Sequence, residues 1–345
     1  MRLLLVRLGA LGDVVHAIPV AAALRRAFPD ARIDWLVSAK HREILDLVPV
    51  IDRRLAVADR GEVAGGMSIA AAVRELRGAA YDCAIDLQGL IKSALLARLS
   101  GARRTIGFGR GYVRESLARF AYTETFDPGG GGMFDRRETR HVVELNLGTL
   151  KLLGVQPGPP AFPIEPVDTR IAQDARQRMP NGYALLNPGA AWPNKRWPPV
   201  RLAAVAAALF KRHSLPSVVL WGPGERGLAE EVVRQAGGAA TVTPETGIRD
   251  LVALARSARV MVSGDTGPAH IAAAVGTPLV GIYGPTRPER NGPWLPADVT
   301  VSRADVCECH HLRRCRRETM CLADISVDEV VEAVERRLSA EPNRG

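Results

Sequence analysis

Short, nearly unbroken apolar runs alternate along this chain with longer stretches in which apolar residues recur every three to four positions. RLLLV (2–6), RIDWLV (32–37) and YDCAIDLQG (81–89) predict strands in the first half. YALLNPG (183–189), SVVLWGPG (217–224), RVMVSGD (259–265) and PLVGIYGP (278–285) predict strands in the second. Between them PVAAALRRAF (19–28), SALLARLSG (93–101) and LAAVAAALFKRH (202–213) carry the helical period. Strand–helix–strand alternation predicts parallel sheets joined by right-handed crossovers. Strands that are apolar throughout imply sheets covered on both faces.

The pattern breaks once. LLGVQPGPPAFPIEPVDT (152–169) holds five prolines and no helical period, which predicts an extended linker near 154–168. The fold class expected is α/β, with a first Rossmann-like domain over 1–165 and a second over 170–322. SVDEVVEAVERRL then predicts an amphipathic helix within 325–340, with Ser326 as N-cap and Glu329 completing a capping box. Two such sheets offer ligand sites at the carboxyl ends of their strands, in a cleft where the domains face each other.

Composition narrows the function class. The 345 residues are 47% hydrophobic and 24% charged, a globular composition. No apolar run reaches the roughly 18 residues of a membrane span, and MRLLLVRLG is too short for a signal peptide, so a cytoplasmic location is expected. The formal charge of +9 suits an anionic partner, or reflects a coding preference for Arg. With only 5% aromatics there is no basic-aromatic stacking platform, and no nucleic-acid partner is expected.

Candidate chemistry lies at the strand ends. In VRLGALGDVVHAIPV (6–20) a strand passes through Gly9 and Gly12 into a helix, and Asp13 stands at the junction. In SGDTGPAH (263–270) a turn of Gly264, Asp265, Thr266 and Gly267 opens a helix near Pro268 that closes at Gly276. The N–H groups and dipole of that helix form an anion site, with Thr266 as a hydroxyl donor and Gly267 admitting a phosphate. Asp265 and Thr266 read equally as ordinary capping residues. LNPGAAWPNKRW brings Gly189 and Lys195, a mobile cation suited to phosphate, and LWGPGER brings Glu225, an acceptor for ribose hydroxyls. Gln88 and Lys92 follow a strand of the first domain. DPGGGGMFDRR (127–137) predicts a glycine-rich functional loop.

In this order and spacing, GDVVHAIPV, YDCAIDLQGLIKSALLARL, RESLA, NKRWP and SGDTGPAHIAAAVGTPLVGIYGPT make the chain resemble the lipopolysaccharide heptosyltransferases of glycosyltransferase family 9, of the heptosyltransferase I type. The resemblance implies a GT-B architecture, with the final helix crossing back onto the N-terminal domain. It implies an inverting transfer of heptose from ADP-L-glycero-D-manno-heptose to Kdo-lipid A of the lipopolysaccharide inner core, without a catalytic cofactor. It matches Asp13 to the general base and Asp265 to an acid near the donor sugar. Lys195 and the Thr266/Gly267 helix start would hold the departing diphosphate. His270 follows in the same motif and reads equally as a core histidine; His16 shares that ambiguity. Gly12, Gln88, Lys92 and Arg114 fall on the acceptor side. Six arginines between Arg98 and Arg119 face one acid, Glu115, which suits a phosphorylated glycolipid and peripheral contact with the cytoplasmic leaflet of the inner membrane. Ala190, Ala191 and Trp192, and Gly9, Ala10 and Leu11, replace hydroxyl residues common in the family, which leaves donor and acceptor open. The alternatives are another core position, protein hydroxyls or another nucleotide sugar, and, outside enzymes, a nucleotide-binding module.

One motif stands apart. Cys307, Cys309, Cys315 and Cys321 follow C-x-C-x5-C-x5-C spacing with His310 and His311 between them. They read as a structural zinc or iron site, as reduced thiols, or as disulfides. Cys83 reads as a small apolar filler of a strand.

Overall fold

A computed structural model describes residues 1–58, 65–135, 137–309 and 312–340. Arg136 of the glycine-rich loop, and His310 and His311 between the cysteines, lie outside the described residues. The chain divides into two compact units, Met1–Glu165 and Pro166–Gly345, and the break falls inside the proline-rich stretch.

The first unit has strands β1 (Arg2–Val6), β2 (Arg32–Ser38), β3 (Arg53–Val57), β4 (Cys83–Asp86), β5 (Arg104–Phe108) and β6 (Glu124–Phe126). Its helices are α1 (Leu11–Val15), α2 (Ile18–Ala27), α3 (Arg42–Leu45), α4 (Ile69–Gly78), α5 (Ile91–Leu99) and α6 (Val142–Gly148). The second unit has β7 (Ala184–Asn187), β8 (Ser217–Val219), β9 (Ala240–Val242), β10 (Val260–Gly264), β11 (Leu279–Tyr283) and β12 (Val299–Ser302). Its helices are α7 (Arg170–Arg178), α8 (Pro199–His213), α9 (Arg226–Gln235), α10 (Ile248–Ser257), α11 (Gly267–Ala274), α12 (Pro288–Asn291) and α13 (Val327–Ser339).

Both sheets are parallel and wound alike. The orders are β3-β2-β1-β4-β5-β6 and β9-β8-β7-β10-β11-β12. In each, the winding reverses between the first and fourth strands, and the crevice beyond the carboxyl ends at that reversal is where such sheets bind ligands. Register makes those strands end level: Val6 pairs Asp86, and Ser263 pairs Asn187. Asp13, Gln88, Lys195, Glu225 and Asp265 follow one of those four strands or a neighbour's, whereas the glycine-rich loop follows β6 and Cys307, Cys309, Cys315 and Cys321 follow β12.

The cores follow from the pattern. In the first unit Leu4, Val6, Leu36, Val57 and Ala84 of the sheet meet Leu76 of α4 and Leu96 of α5. In the second, Leu186, Val219, Val262 and Ile282 meet Val205 and Leu209 of α8 and Val232 of α9. Ser326 Oγ accepts from Glu329 N at 3.2 Å while the Glu329 carboxylate accepts from Ser326 N at 2.8 Å, which is the expected capping box of α13. The expected destination of α13 differs: its apolar face, Val330, Val331, Ala333 and Val334, is buried in the second unit's core. Arg337 of the same helix donates to Asp298 at 2.7 Å, both side chains being buried. Burial of an aliphatic face on its own sheet, locked by an ion pair, places α13 in the unit that precedes it.

Strands β3, β5, β6, β9 and β12 were not expected from the pattern. β3, β9, β6 and β12 flank or form the sheet edges, and their residues are mixed in exposure. Among the described residues no helix is long and apolar enough to cross a membrane.

Candidate active site

In the first unit the residue after β1 is Arg7, a charged side chain buried to 6% exposure. Its guanidinium donates to the Leu87 carbonyl beyond β4 and sits 2.8 Å from Asp13 Oδ2. Asp13 is the third residue of α1, and the same Oδ2 accepts from Ala10 N at 3.2 Å. Among the described residues no donor is directed at Oδ1, and the side chain keeps 29% exposure. Burial favours the neutral acid, but the charges of Arg7 and Arg114, with the hydrogen bonds from Arg7 and Ala10, outweigh it and hold the carboxyl below the ordinary aspartate value. Asp13 is therefore an ionised carboxylate with one oxygen tied down and one open. That is the form a proton acceptor needs.

The turn beyond β4 is built on a second carboxylate. Asp86 is buried and accepts from Gln88 N at 2.8 Å, Ser93 Oγ at 2.8 Å and Tyr122 OH at 2.7 Å. Burial nevertheless pushes its pKa up. Gln88 Oε1 accepts from Leu8 N at 2.6 Å, so this side chain ties β1's exit to β4's and keeps only its amide N–H groups for a ligand. Lys92 follows at the start of α5, half-buried, and Arg114 is exposed. His16 is buried edge-on to His141 at 5.5 Å and its carbonyl accepts from Asn146, so it is a packed core histidine.

In the second unit the two central turns interlock. Asn187 Nδ2, at the end of β7, donates to Ser263 Oγ at 3.0 Å and to Thr266 Oγ1 at 3.0 Å. Gly264 has no side chain because a Cβ there would stand 2.7 Å from the Lys195 carbonyl. The Lys195 turn thus lies directly over β10, and Lys195 Nζ meets Asp265 Oδ2 at 2.5 Å. Asp265 Oδ1 lies 3.0 Å from His270 Nε2, one helical turn into α11. Burial opposes the charge on Asp265, yet Lys195 and His270 overcome it and hold the carboxyl well below the ordinary aspartate value. Lys195 also sits 4.5 Å from the Trp192 ring centroid, with Arg313 at 5.7 Å.

Two expectations change here. Lys195 is a fixed cation, only 14% exposed, because Asp265 and Trp192 hold it. Asp265 and Thr266 are not caps: Thr266 starts α11 with no side-chain cap, its hydroxyl being taken by Asn187, and Asp265 is an ion-pair partner. No side chain caps α11, and Pro268 stands in its first turn. Glu225 pairs with Arg196 at 3.4 Å and its carboxylate lies where a Cβ on Gly189 would fall, so Gly189 and Glu225 form one feature.

Arg7, Asn187, Ser263 and Trp192 are the site residues that motif reading missed. Arg7 carried a signal, a charge directly after four buried apolar residues.

The four cysteines come together in one cluster. Cys309 Sγ lies 3.1 Å from Cys315 Sγ, and Cys321 Sγ lies 3.2 Å from Cys307 Sγ, all as free thiols. Burial pushes Cys307 up to about 11 and Cys309 up to about 12. Among the described residues no three His, Cys, Asp or Glu side chains are grouped to hold a metal ion, so a zinc or iron site gains no support. Cys83 is buried in β4, as expected of a filler.

Comparison with known proteins places this arrangement. The chain is 29% identical to lipopolysaccharide heptosyltransferase 1 of Pseudomonas aeruginosa, over 85% of this chain and 81% of that one. A glycosyl transferase family 9 structure from Veillonella parvula superposes with a TM-score of 0.79 at 25% identity, covering 98% of this chain and 97% of that one. The E. coli heptosyltransferase WaaC, solved with ADP-2-deoxy-2-fluoro heptose, gives a TM-score of 0.71 at 25% identity, covering 97% and 99%. The two six-stranded units are thus of the GT-B class. Residues 69–320 match the model of glycosyltransferase family 9 (heptosyltransferase), and the chain belongs to that family of glycosyltransferases.

Proposed function

We propose that this glycosyltransferase moves a heptose from ADP-L-glycero-D-manno-heptose to the inner core of lipopolysaccharide, at Kdo-lipid A, with inversion at the anomeric carbon. The relatives named as lipopolysaccharide heptosyltransferase 1 support the acceptor, and the ADP-heptose analogue on WaaC supports the donor. The observation that carries the reading is Asp13, ionised, with Oδ1 open and Oδ2 clamped by Arg7.

In this reading an acceptor hydroxyl donates its proton to Asp13 Oδ1 while its oxygen bonds to the anomeric carbon. The bond from that carbon to the β-phosphate oxygen breaks, and the electron pair leaves with ADP. Lys195 and the first N–H groups of α11 take up the charge of the departing diphosphate, a term that grows along the reaction coordinate. Glu225 receives a ribose hydroxyl beside Gly189.

The test is ADP release from ADP-heptose with and without Kdo-lipid A, with the anomeric configuration of the product read by NMR. Acceptor-dependent release with inversion is expected. Release unchanged in Asp13→Ala, or retention at the anomeric carbon, would remove Asp13 from this role.

A further inference from the structure

Two of the cations on the turn after β7 are already matched. Lys195 meets Asp265 at 2.5 Å, and Arg196 meets Glu225 at 3.4 Å. Each pair is close to neutral as a unit, whereas a diphosphate is multiply charged. Ala190 and Ala191 bring no side-chain donor to the same turn. Arg313 stands differently. Its guanidinium carbon lies 5.7 Å from the Trp192 ring centroid, and Lys195 Nζ lies 4.5 Å from that same centroid. Among the described residues no carboxylate lies within ion-pair distance of Arg313.

The segment that carries Arg313 is fastened to the Lys195 turn. Asn194, buried beside Lys195, donates from Nδ2 to the Leu312 carbonyl at 2.7 Å. Leu312 N donates to the Cys309 carbonyl at 2.7 Å, and Arg316 N donates to Cys309 Sγ at 3.3 Å. Cys309 Sγ in turn lies 3.1 Å from Cys315 Sγ. The backbone on both sides of Arg313 is thus held, and the Trp192 ring orients its exposed side chain. Part of the freedom an arginine loses on meeting a ligand is therefore lost in advance. A guanidinium stacks on an aromatic face while offering a planar fork to two phosphate oxygens, which an ammonium does not do.

We infer that Arg313 is a diphosphate-binding residue, held on Trp192 so that its guanidinium and Lys195 grip the same diphosphate. Lys195 is balanced by Asp265, so Arg313 supplies the net positive charge that draws an anion to this turn. Trp192 is a positioning residue, since one ring holds both cations. This role rests on the reading of the second unit as the ADP-sugar side of the reaction. It gives the cysteine-bearing segment after β12 a part in binding that donor.

The experiment is isothermal titration of the full chain with ADP at several salt concentrations, without acceptor. Arg313→Ala should weaken ADP about tenfold or more with unchanged circular dichroism. Arg313→Lys should recover part of the loss, because the charge survives without the fork. The parent's affinity should fall as salt screens the site, and that of Arg313→Ala should fall less steeply. A role confined to loop packing would not flatten the salt dependence. Trp192→Leu keeps Arg313 but removes its ring, and should weaken ADP about threefold. Unaltered ADP affinity in Arg313→Ala would overturn the role, as would a weakened affinity with parallel salt curves. A chain that binds ADP through Arg313 yet transfers no heptose would overturn the proposed reaction and leave this residue standing. A parent that binds no ADP would overturn the proposed donor, and this role with it.

Discussion

Lys195 Nζ and Asp265 Oδ2 are 2.5 Å apart, although 70 residues separate them and each is close to fully buried. The pair exists because Gly264 lets the Lys195 turn rest on β10, and because His270 takes the other carboxylate oxygen. In the proposed reaction Asp265 would act on the diphosphate through Lys195, by setting where the cation stands. Removing either partner leaves a buried charge alone, which costs about 3–5 kcal/mol. Lys195→Ala should lower kcat/KM for the donor about a hundredfold. Asp265→Asn should lower it less while raising the donor KM, because the ammonium survives but loses its position. Steady-state kinetics with varied ADP-heptose separates the two, and equal effects on kcat alone would contradict a positioning role.

Stability should depend on pH through the same carboxylates. Asp13 and Asp265 both titrate below the ordinary aspartate value in the folded chain. A depressed folded pKa contributes stability that is fully present above the unfolded value, about 3.9, and is lost as pH falls through the folded values. The melting temperature should therefore hold from pH 8 to about 5 and fall below pH 4. Asp265→Asn should start lower and fall less. Parallel curves for parent and variant would show that the Lys195 pair contributes nothing to this acid limb.

Asp13 should also shape the activity profile. With its carboxyl held low by Arg7 and Arg114, the base form is present throughout neutral pH. The acid limb of kcat/KM assigned to this group lies below about pH 4. Asp13→Ala should reduce kcat by about 10²–10⁴ with little change in donor KM. An acid limb near pH 6 that vanishes in Asp13→Ala would mean that Arg7 does not clamp this carboxylate during turnover.

The sheets were legible where strands are central. β1, β4, β7 and β10 are buried on both faces and show as continuous apolar runs, which is also why their exits, and hence the site, could be placed. β6 and β9 are three-residue edge strands, and half-exposed strands of that length carry no period. Helix α13 was legible to the residue at its cap, because Ser326 and Glu329 are local, but its docking face was not, since that depends on Asp298 39 residues earlier. The Lys195–Asp265 pair was hidden for the same reason. Short-range signals located both turns, and only sheet register brought them together.

A side chain at Gly189 should displace the Glu225 carboxylate. A Cβ there would overlap the Glu225 carboxylate, which also lies 3.4 Å from Arg196. Displacing that carboxylate would remove the proposed ribose acceptor without touching Lys195 or α11. Gly189→Ala should therefore raise the donor KM about tenfold with kcat preserved, and Glu225→Gln should give a smaller rise. A Gly189→Ala enzyme with unaltered donor KM would take Glu225 out of the donor site.

Arg337 and Asp298 test what α13 contributes. Asp298 Oδ1 accepts from Arg337 Nε at 2.7 Å and from Leu279 N at 2.9 Å, while Oδ2 has no hydrogen-bond partner. Burial pushes the Asp298 carboxyl up even with Arg337 beside it. Arg337→Met leaves that carboxylate buried and unpaired, at a cost of about 3 kcal/mol or more. For a unit of this size that is a fall of about 6–12 °C in melting temperature. Arg337→Met/Asp298→Asn keeps an acceptor for Leu279 N, removes both charges, and should recover more than half of the loss. A raised folded pKa stabilises below the unfolded value and loses that contribution as pH rises through the folded one. The Arg337→Met deficit should thus be larger at pH 8 than at pH 5, where Asp298 takes up its proton more readily. Equal deficits at both pH values would show that Arg337 holds α13 by the packing of its aliphatic stem and not by its charge.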